Sequence, residues 1–144
     1  MVVLHGWKAI LMPRLIGPDF IGIQAAYLDA ARAFYEGIVG LTVNPNGPPD
    51  AVVFDTEPVS FAVRTPLPGF EASAPRGVGV GLWFACDDAD ALHDHLFGRD
   101  VPIAFAPKDG PFGRYFAFLD PFGYQITAHT ARTEQSGSER SEVA

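Results

Sequence analysis

The sequence predicts an α+β domain made of two β-α-β-β-β modules. Three observations carry that expectation. The chain has 144 residues, a length suited to one domain. One order of strand and helix patterns occurs twice, offset by roughly sixty residues. A Pro-, Gly- and Ala-rich stretch separates the two copies. With 48% hydrophobic residues and twelve Phe, there is ample apolar surface for one core. Either module alone would leave an apolar sheet face in water, so each is expected to cover the other.

The chain is expected to divide into an extension at 1–18, a single domain at 19–130 and a disordered tail at 131–144. The extension has no clear period, and Met12 is an alternative start because the run after it leads directly into the first strand. The first module, 19–64, opens with the apolar run Phe20-Ile-Gly-Ile-Gln-Ala-Ala26. Leu28, Ala31, Phe34, Tyr35 and Ile38 then recur at spacings of three and four, one apolar face of a helix. Gly40 follows and can end that helix in the left-handed conformation. Strands are expected at 41–43, 51–55 and 59–63, separated by turn signals at 44–49 and 56–58.

Residues 65–76 read as a linker, and the second module spans 77–130. Residues 78–85 form an apolar strand candidate. Asp88 is a suitable N-cap for a helix through about Gly98, with Ala89, Leu92 and Leu96 inward. Strands are expected at 101–105, 114–119 and 125–129. The tail is polar, rich in Ser and Glu, and too poor in apolar residues to bury anything.

Charge and composition exclude several classes. Ten Lys and Arg against seventeen Asp and Glu leave a net charge of −7, which repels phosphate backbones, so no nucleic acid partner is expected. No apolar run approaches the roughly 20 residues of a membrane span, so no membrane partner is expected either. Lys8, Pro13 and Arg14 interrupt the mildly apolar start and no small-residue cleavage site follows, which leaves the cytoplasm as the expected compartment. Cys86 is the single cysteine, consistent with a reducing compartment.

Two motifs carry a family resemblance. They are Leu28-Asp-Ala-Ala-Arg-Ala-Phe-Tyr35 followed by Gly40-Leu41, and Gly113-Arg-Tyr-Phe-Ala-Phe-Leu-Asp-Pro-Phe-Gly-Tyr124. In that order, and with the internal repeat, the stretch from Phe20 to His129 resembles the vicinal oxygen chelate superfamily of glyoxalases, bleomycin-resistance proteins and dioxygenases. Phe122 departs from the pattern, standing where an acidic residue is customary. The resemblance implies the glyoxalase/bleomycin-resistance fold, in which the two modules form a curved mixed sheet around a cavity.

It also implies four metal-ligand positions, which the family's enzymes fill with His, Gln or Glu. Here the first falls on Phe20, the third on Gly81 and the fourth on Thr127. The second lies within 59–63, a stretch holding no carboxylate or imidazole. A divalent ion needs lone-pair donors at about 2.0–2.2 Å, and this set does not supply them. Neither metal nor other cofactor is therefore expected. His93 and His95 lie two apart on a helix and point to different sides, so they do not form the i, i+4 metal pair. Asp87 and Asp88 should raise the pKa of Cys86, which opposes nucleophilic use. The run Gly110-Pro-Phe-Gly113 lacks the Lys-Ser/Thr of a phosphate loop and reads as a turn at the cavity mouth.

If Phe20, Gly81 and Thr127 face inward, alternation adds Gly22, Gln24, Trp83, Ala85, Gln125 and His129 to the lining. The candidate ligand-binding residues are Phe20, Gln24, Trp83, Tyr115, Thr127 and His129. Trp83 is suited to stack on a planar ligand, although Phe20 and Trp83 are equally compatible with core packing. The leading expectation is a metal-independent binder of a small, partly aromatic molecule, similar to the bleomycin-resistance proteins that protect by sequestering an antibiotic and commonly act as homodimers. A cofactor-free isomerase or lyase, with His129 as base and Gln24 or Tyr115 orienting the substrate, is the alternative. A metal-dependent glyoxalase or dioxygenase is the least favoured.

Overall fold

The computed structural model describes residues 12–131. Trp7, and the expected tail beyond Ala131, lie outside the described residues. The first module contains β1 (Phe20–Gln24), α1 (Leu28–Arg32), β2 (Ala51–Phe54) and β3 (Ser60–Arg64). The second contains β4 (Leu82–Cys86), α2 (Ala89–Gly98), β5 (Ile103–Gly110), β6 (Gly113–Leu119) and β7 (Gln125–Thr130). They make a three-stranded sheet, β1-β3-β2, and a four-stranded sheet, β4-β7-β6-β5. In each, the first strand of the module runs parallel to the last. No helix among the described residues is long and apolar enough to cross a membrane.

The helical faces follow the sequence pattern. Ala31, Phe34 and Tyr35 are buried on one side of the first helix, and Ala89 and Leu96 on one side of the second. The first helix continues as a wider π-helical turn over Ala33–Ile38, which carries the buried Phe34 and Tyr35, and Gly40 ends it at φ 91°. Asp88 caps α2 by accepting from the Ala91 N–H at 3.1 Å.

Three expected strands differ in extent. Residues 41–43 contribute only an isolated bridge between Val43 and Phe54. Asn44 N–H still donates to Val53 at 2.7 Å, but Pro45 comes next and has no N–H to continue the ladder. The strand expected at 78–85 begins at Leu82, because Gly77 and Gly79 take φ of 67° and 85° and break the extended path. The strand expected at 101–105 starts later and runs longer. Val101 N–H is taken by Leu96 O, so the chain is still leaving α2 there, and register shifts later let β5 pass Pro107.

The modules are joined through the Asp-Pro-Phe-Gly-Tyr turn. Asp120 accepts from the N–H groups of Phe122 and Tyr124 at 2.9 and 2.8 Å, which closes the turn. Its other oxygen accepts the Tyr35 hydroxyl of the first module at 2.7 Å. In return, the Tyr124 hydroxyl donates to Gln24 O and accepts from Gln24 N–H, at 2.9 and 3.1 Å. These two bonds also satisfy the free edge of β1. His95 adds a third tie, its Nε2 lying 2.9 Å from Ile38 O at the end of the π turn. Aromatic contacts fill the seam, including Phe34 with Phe118 and Phe61 with Phe84.

Burial, followed by the Asp120 charge and hydrogen bond, pushes the Tyr35 hydroxyl far above its ordinary pKa, so it remains a donor at all working pH. Tyr35→Phe should lower unfolding stability by about 1–3 kcal/mol in a denaturant titration, because a buried acceptor loses its partner. Asp120→Ala strands three donors and should cost more. A Tyr35→Phe loss below about 0.5 kcal/mol, the range of an indifferent surface change, would show that this bond does not hold the modules.

Candidate functional site

The candidate site is the open face of the four-stranded sheet. Alternation divides β4, β6 and β7 between two faces, and register shifts in β5 bring Phe105 and Lys108 to the same side as Tyr115. Leu82, Ile126, Phe118 and Ile103 form one rung on the core side, in register across the four strands. The next rung, Trp83, Thr127, Ala117 and Phe105, points the other way, as does Ala85, His129, Tyr115 and Lys108. The Trp83 and Tyr115 rings meet across the intervening strand, 5.5 Å apart and 19° from parallel. Thr127, on that strand, is only 7% exposed. Phe112 and His129 approach Trp83 at 6.0 and 5.9 Å. Trp83 is nevertheless 48% exposed, so core packing does not account for it.

Local constraints hold these groups. The hairpin between β5 and β6 turns at Pro111 and Phe112, and Gly113 adopts φ 103°. A Cβ on Gly110 would strike the Tyr115 ring, so glycine there is what lets Tyr115 lie flat toward Trp83. The same turn orients His129, whose Nδ1 is 3.2 Å from Phe112 O. A bond to a carbonyl requires the proton on Nδ1, so the Nε2 of the neutral ring keeps its lone pair.

Two clefts meet at Trp83. One, of about 520 Å³, contains Tyr115, Gln125 and Thr127. The other, of about 730 Å³, contains His129, Ala85 and Ile21. Of the six residues singled out in the sequence, the fold gathers Trp83, Tyr115, Thr127 and His129. It places Phe20 and Gln24 on the other sheet. Phe20 is 55% exposed and lines neither cleft, and the Gln24 side-chain oxygen is occupied by Leu67 N–H at 2.7 Å. Phe105, Lys108, Phe112 and Arg76 also belong to this region and escape a reading by alternation. The bulge at Pro107 shifts the period in β5, Phe112 sits in a turn, and Arg76 lies in the linker.

The four metal-ligand positions do not fit a metal. Thr127 pairs with Trp83, two residues beyond Gly81. The same offset from Phe20 reaches Gly22, whose partner is Ala62, so by analogy between the modules Ala62 is the counterpart of Thr127. Phe20, Ala62, Gly81 and Thr127 together offer one hydroxyl. Among the described residues no group of three or more His, Cys, Asp or Glu is placed to hold an ion.

A family model described as the Glyoxalase/Bleomycin resistance protein/Dioxygenase superfamily matches residues 17–127. The chain belongs to this superfamily. Among solved structures it is similar to TnmS3, an antibiotic binding protein from Streptomyces sp. CB03234, at 24% identity and TM-score 0.64, covering 80% of this chain and 95% of that one. A glyoxalase/bleomycin resistance protein from the same organism matches at 24% identity and TM-score 0.63, covering 78% and 99%. Lactoylglutathione lyase from Agrobacterium tumefaciens matches at 22% identity and TM-score 0.58, covering 78% and 91%. At these identities the shared property is the glyoxalase/bleomycin-resistance fold. No curated protein matches the chain.

Cys86 lies away from the open face, on the wall of an apolar void of about 190 Å³ shared with Tyr35, Phe84 and Phe118. Its thiol is pushed up to about 11, first by burial, with the charges of Asp87 and Asp88 adding less. The carboxylates picked out in the sequence therefore act in the expected direction but are not the main cause. Because the thiolate is the reactive form, alkylation at pH 8 should be about a hundredfold slower than for an ordinary thiol. The rate should climb about tenfold per pH unit until it levels near 11. A plateau already at pH 8 to 9 would contradict the buried placement.

Proposed function

We propose that this chain is a metal-independent binding protein for a small, planar, partly aromatic molecule, acting by sequestration. The observation that carries the reading is the half-exposed Trp83, stacked with Tyr115 on an open sheet face where the superfamily's metal position holds only Thr127. Small-molecule sites are mostly apolar concavities with a few placed polar groups; the His129 cleft has that character, while the Tyr115 cleft pairs its aromatic rings with a more polar lining. The likeness to an antibiotic binding protein supports an antibiotic as the kind of molecule held. We further propose a cytoplasmic homodimer. One chain leaves Phe20 on the first sheet, Trp83 on the second and Phe112 in its hairpin turn exposed, and a second copy is suited to cover them.

One observation favours a second reading. His129 is held with Nε2 free beside Tyr115, its cross-strand partner, which suits a cofactor-free isomerase or lyase using His129 as base. Gln24 is already engaged by Leu67, so Tyr115 is the group left to orient a substrate. Turnover with a bell-shaped pH profile that disappears in His129→Ala would establish this alternative.

Three measurements test the leading reading. Elemental analysis of protein purified without chelators should find far less than one transition-metal ion per chain; a stoichiometric ion would overturn it. A planar ligand bound at Trp83 should quench or shift indole fluorescence in a Trp7→Phe background. Trp83→Ala should then weaken binding by about 1–3 kcal/mol. It should cost stability well short of the roughly 3–5 kcal/mol of a core truncation. Unfolding of Trp83→Ala, or unchanged affinity for a confirmed ligand, would move the site elsewhere. Sedimentation should give twice the chain mass, and a monomer at micromolar concentration would remove the dimer.

A further inference from the structure

The geometry points to an anionic ligand: a planar aromatic carboxylate or acidic phenol, seated in the cleft between Trp83 and β5, with its charge toward Lys108 and Arg76. This inference rests on the binding role proposed above and adds the chemical class of the ligand.

The distribution of charge carries it. The chain has seventeen acidic residues against ten Lys and Arg, yet the cleft holding Trp83, Tyr115, Gln125 and Thr127 is lined by two cations and no carboxylate. Neither cation has an ion-pair partner among the described residues; Arg32 and Arg64 have one each and Arg114 two, while Arg14 and Arg99, which line neither cleft, have none. The Lys108 ammonium stands over Phe105 and Tyr115, 4.5 and 5.6 Å from the ring centres. The Arg76 guanidinium lies 4.1 Å from the Phe70 ring centre and donates only to the Glu71 backbone carbonyl. Aromatic faces hold both groups without neutralising them. Asp109 follows Lys108 in sequence but is engaged by Arg114 at 3.2 Å.

The second cleft has the opposite sign. It includes Asp55 and Glu57 and no Lys or Arg. Trp83 borders both, so a ring stacked on it meets cations on one side and carboxylates on the other. An acidic substituent is favoured only on the Lys108 side, where it gains charge-assisted hydrogen bonds. A volume of about 520 Å³ suits two or three fused rings. The net charge of −7 repels anions at long range, so a preference for an anion must arise locally.

The test compares naphthalene-2-carboxylate, naphthalene-2-carboxamide and naphthalene-2-methylammonium, with the matching anthracene series, by calorimetry at low and moderate salt. The acid should bind about tenfold more tightly than the amide, with the ammonium compound weakest. Salt should narrow the gap. Lys108→Gln should reduce the acid-to-amide ratio to about threefold or less, while Arg99→Gln, which removes the same charge outside the cleft, should leave it unchanged. Equal binding of acid and amide overturns the anion assignment and leaves the aromatic site standing. Tightest binding of the ammonium compound overturns it in favour of the Asp55 and Glu57 side. A ratio that Lys108→Gln leaves intact also overturns it. Binding by none of the probes overturns both the ligand class and the binding role.

Discussion

Asp120 is the point at which the two modules become one domain, and the rest of the architecture depends on its being satisfied. One oxygen closes its own turn through two backbone N–H groups; the other takes the Tyr35 hydroxyl from the opposite module. Tyr124, placed by that turn, returns two bonds to Gln24 of β1. Burial raises the Asp120 pKa, and the hydrogen bonds from Tyr35, Tyr124, Phe122 and Gly123 oppose the rise. A folded-state pKa above the unfolded one means that this carboxyl adds stability as it takes up its proton and loses that share as pH rises through its folded pKa. It is a group whose cost is borne in order to fix geometry.

That joint decides where the open surface lies. Phe34, Phe61, Phe84 and Phe118 fill the seam on the inner side of both sheets. Because a strand presents alternate residues to opposite faces, burying Phe84 and Phe118 turns Trp83 and Ala117 outward without further instruction. The outward rungs carry the aromatic pair, and the Gly110 and Gly113 hairpin keeps Tyr115 and His129 within reach of Trp83. The Trp83 face is thus a by-product of core register, and its chemistry is set by what the loops and linker bring to its rim.

Much of the fold was legible in the chain. The helical faces, the Asp88 cap and the Gly40 stop rest on local rules, and the structure bears them out; of the repeat, the second module is complete and the first lacks one strand, its 41–43 segment making only a bridge. The strand limits were less legible. Whether residues 41–43 extend a ladder depends on Pro45 losing its donor, and the start of β4 depends on backbone angles at Gly77 and Gly79. Alternation correctly put Trp83 on the same face as Thr127 and His129, since Thr127 is its direct partner and His129 pairs with Ala85, two residues along the same face. It failed where β5 bulges, and so missed Lys108 and Phe105 beside Tyr115.

The sequence by itself determined the helical faces, the Asp88 cap and most of the secondary-structure order, because these follow from residue type and short-range spacing, and the family resemblance is what put Phe20, Gly81 and Thr127 at metal-ligand positions. Only the tertiary structure decided which of the candidates meet. Phe20 and Gln24 share alternation with the site but sit on a different sheet, and Gln24 is tied to Leu67. Arg76 and Lys108, thirty-two positions apart, come together only because the linker and the bulged edge strand flank the same strand ends. Proximity of that kind depends on how the sheets close, and sequence separation carries no record of it.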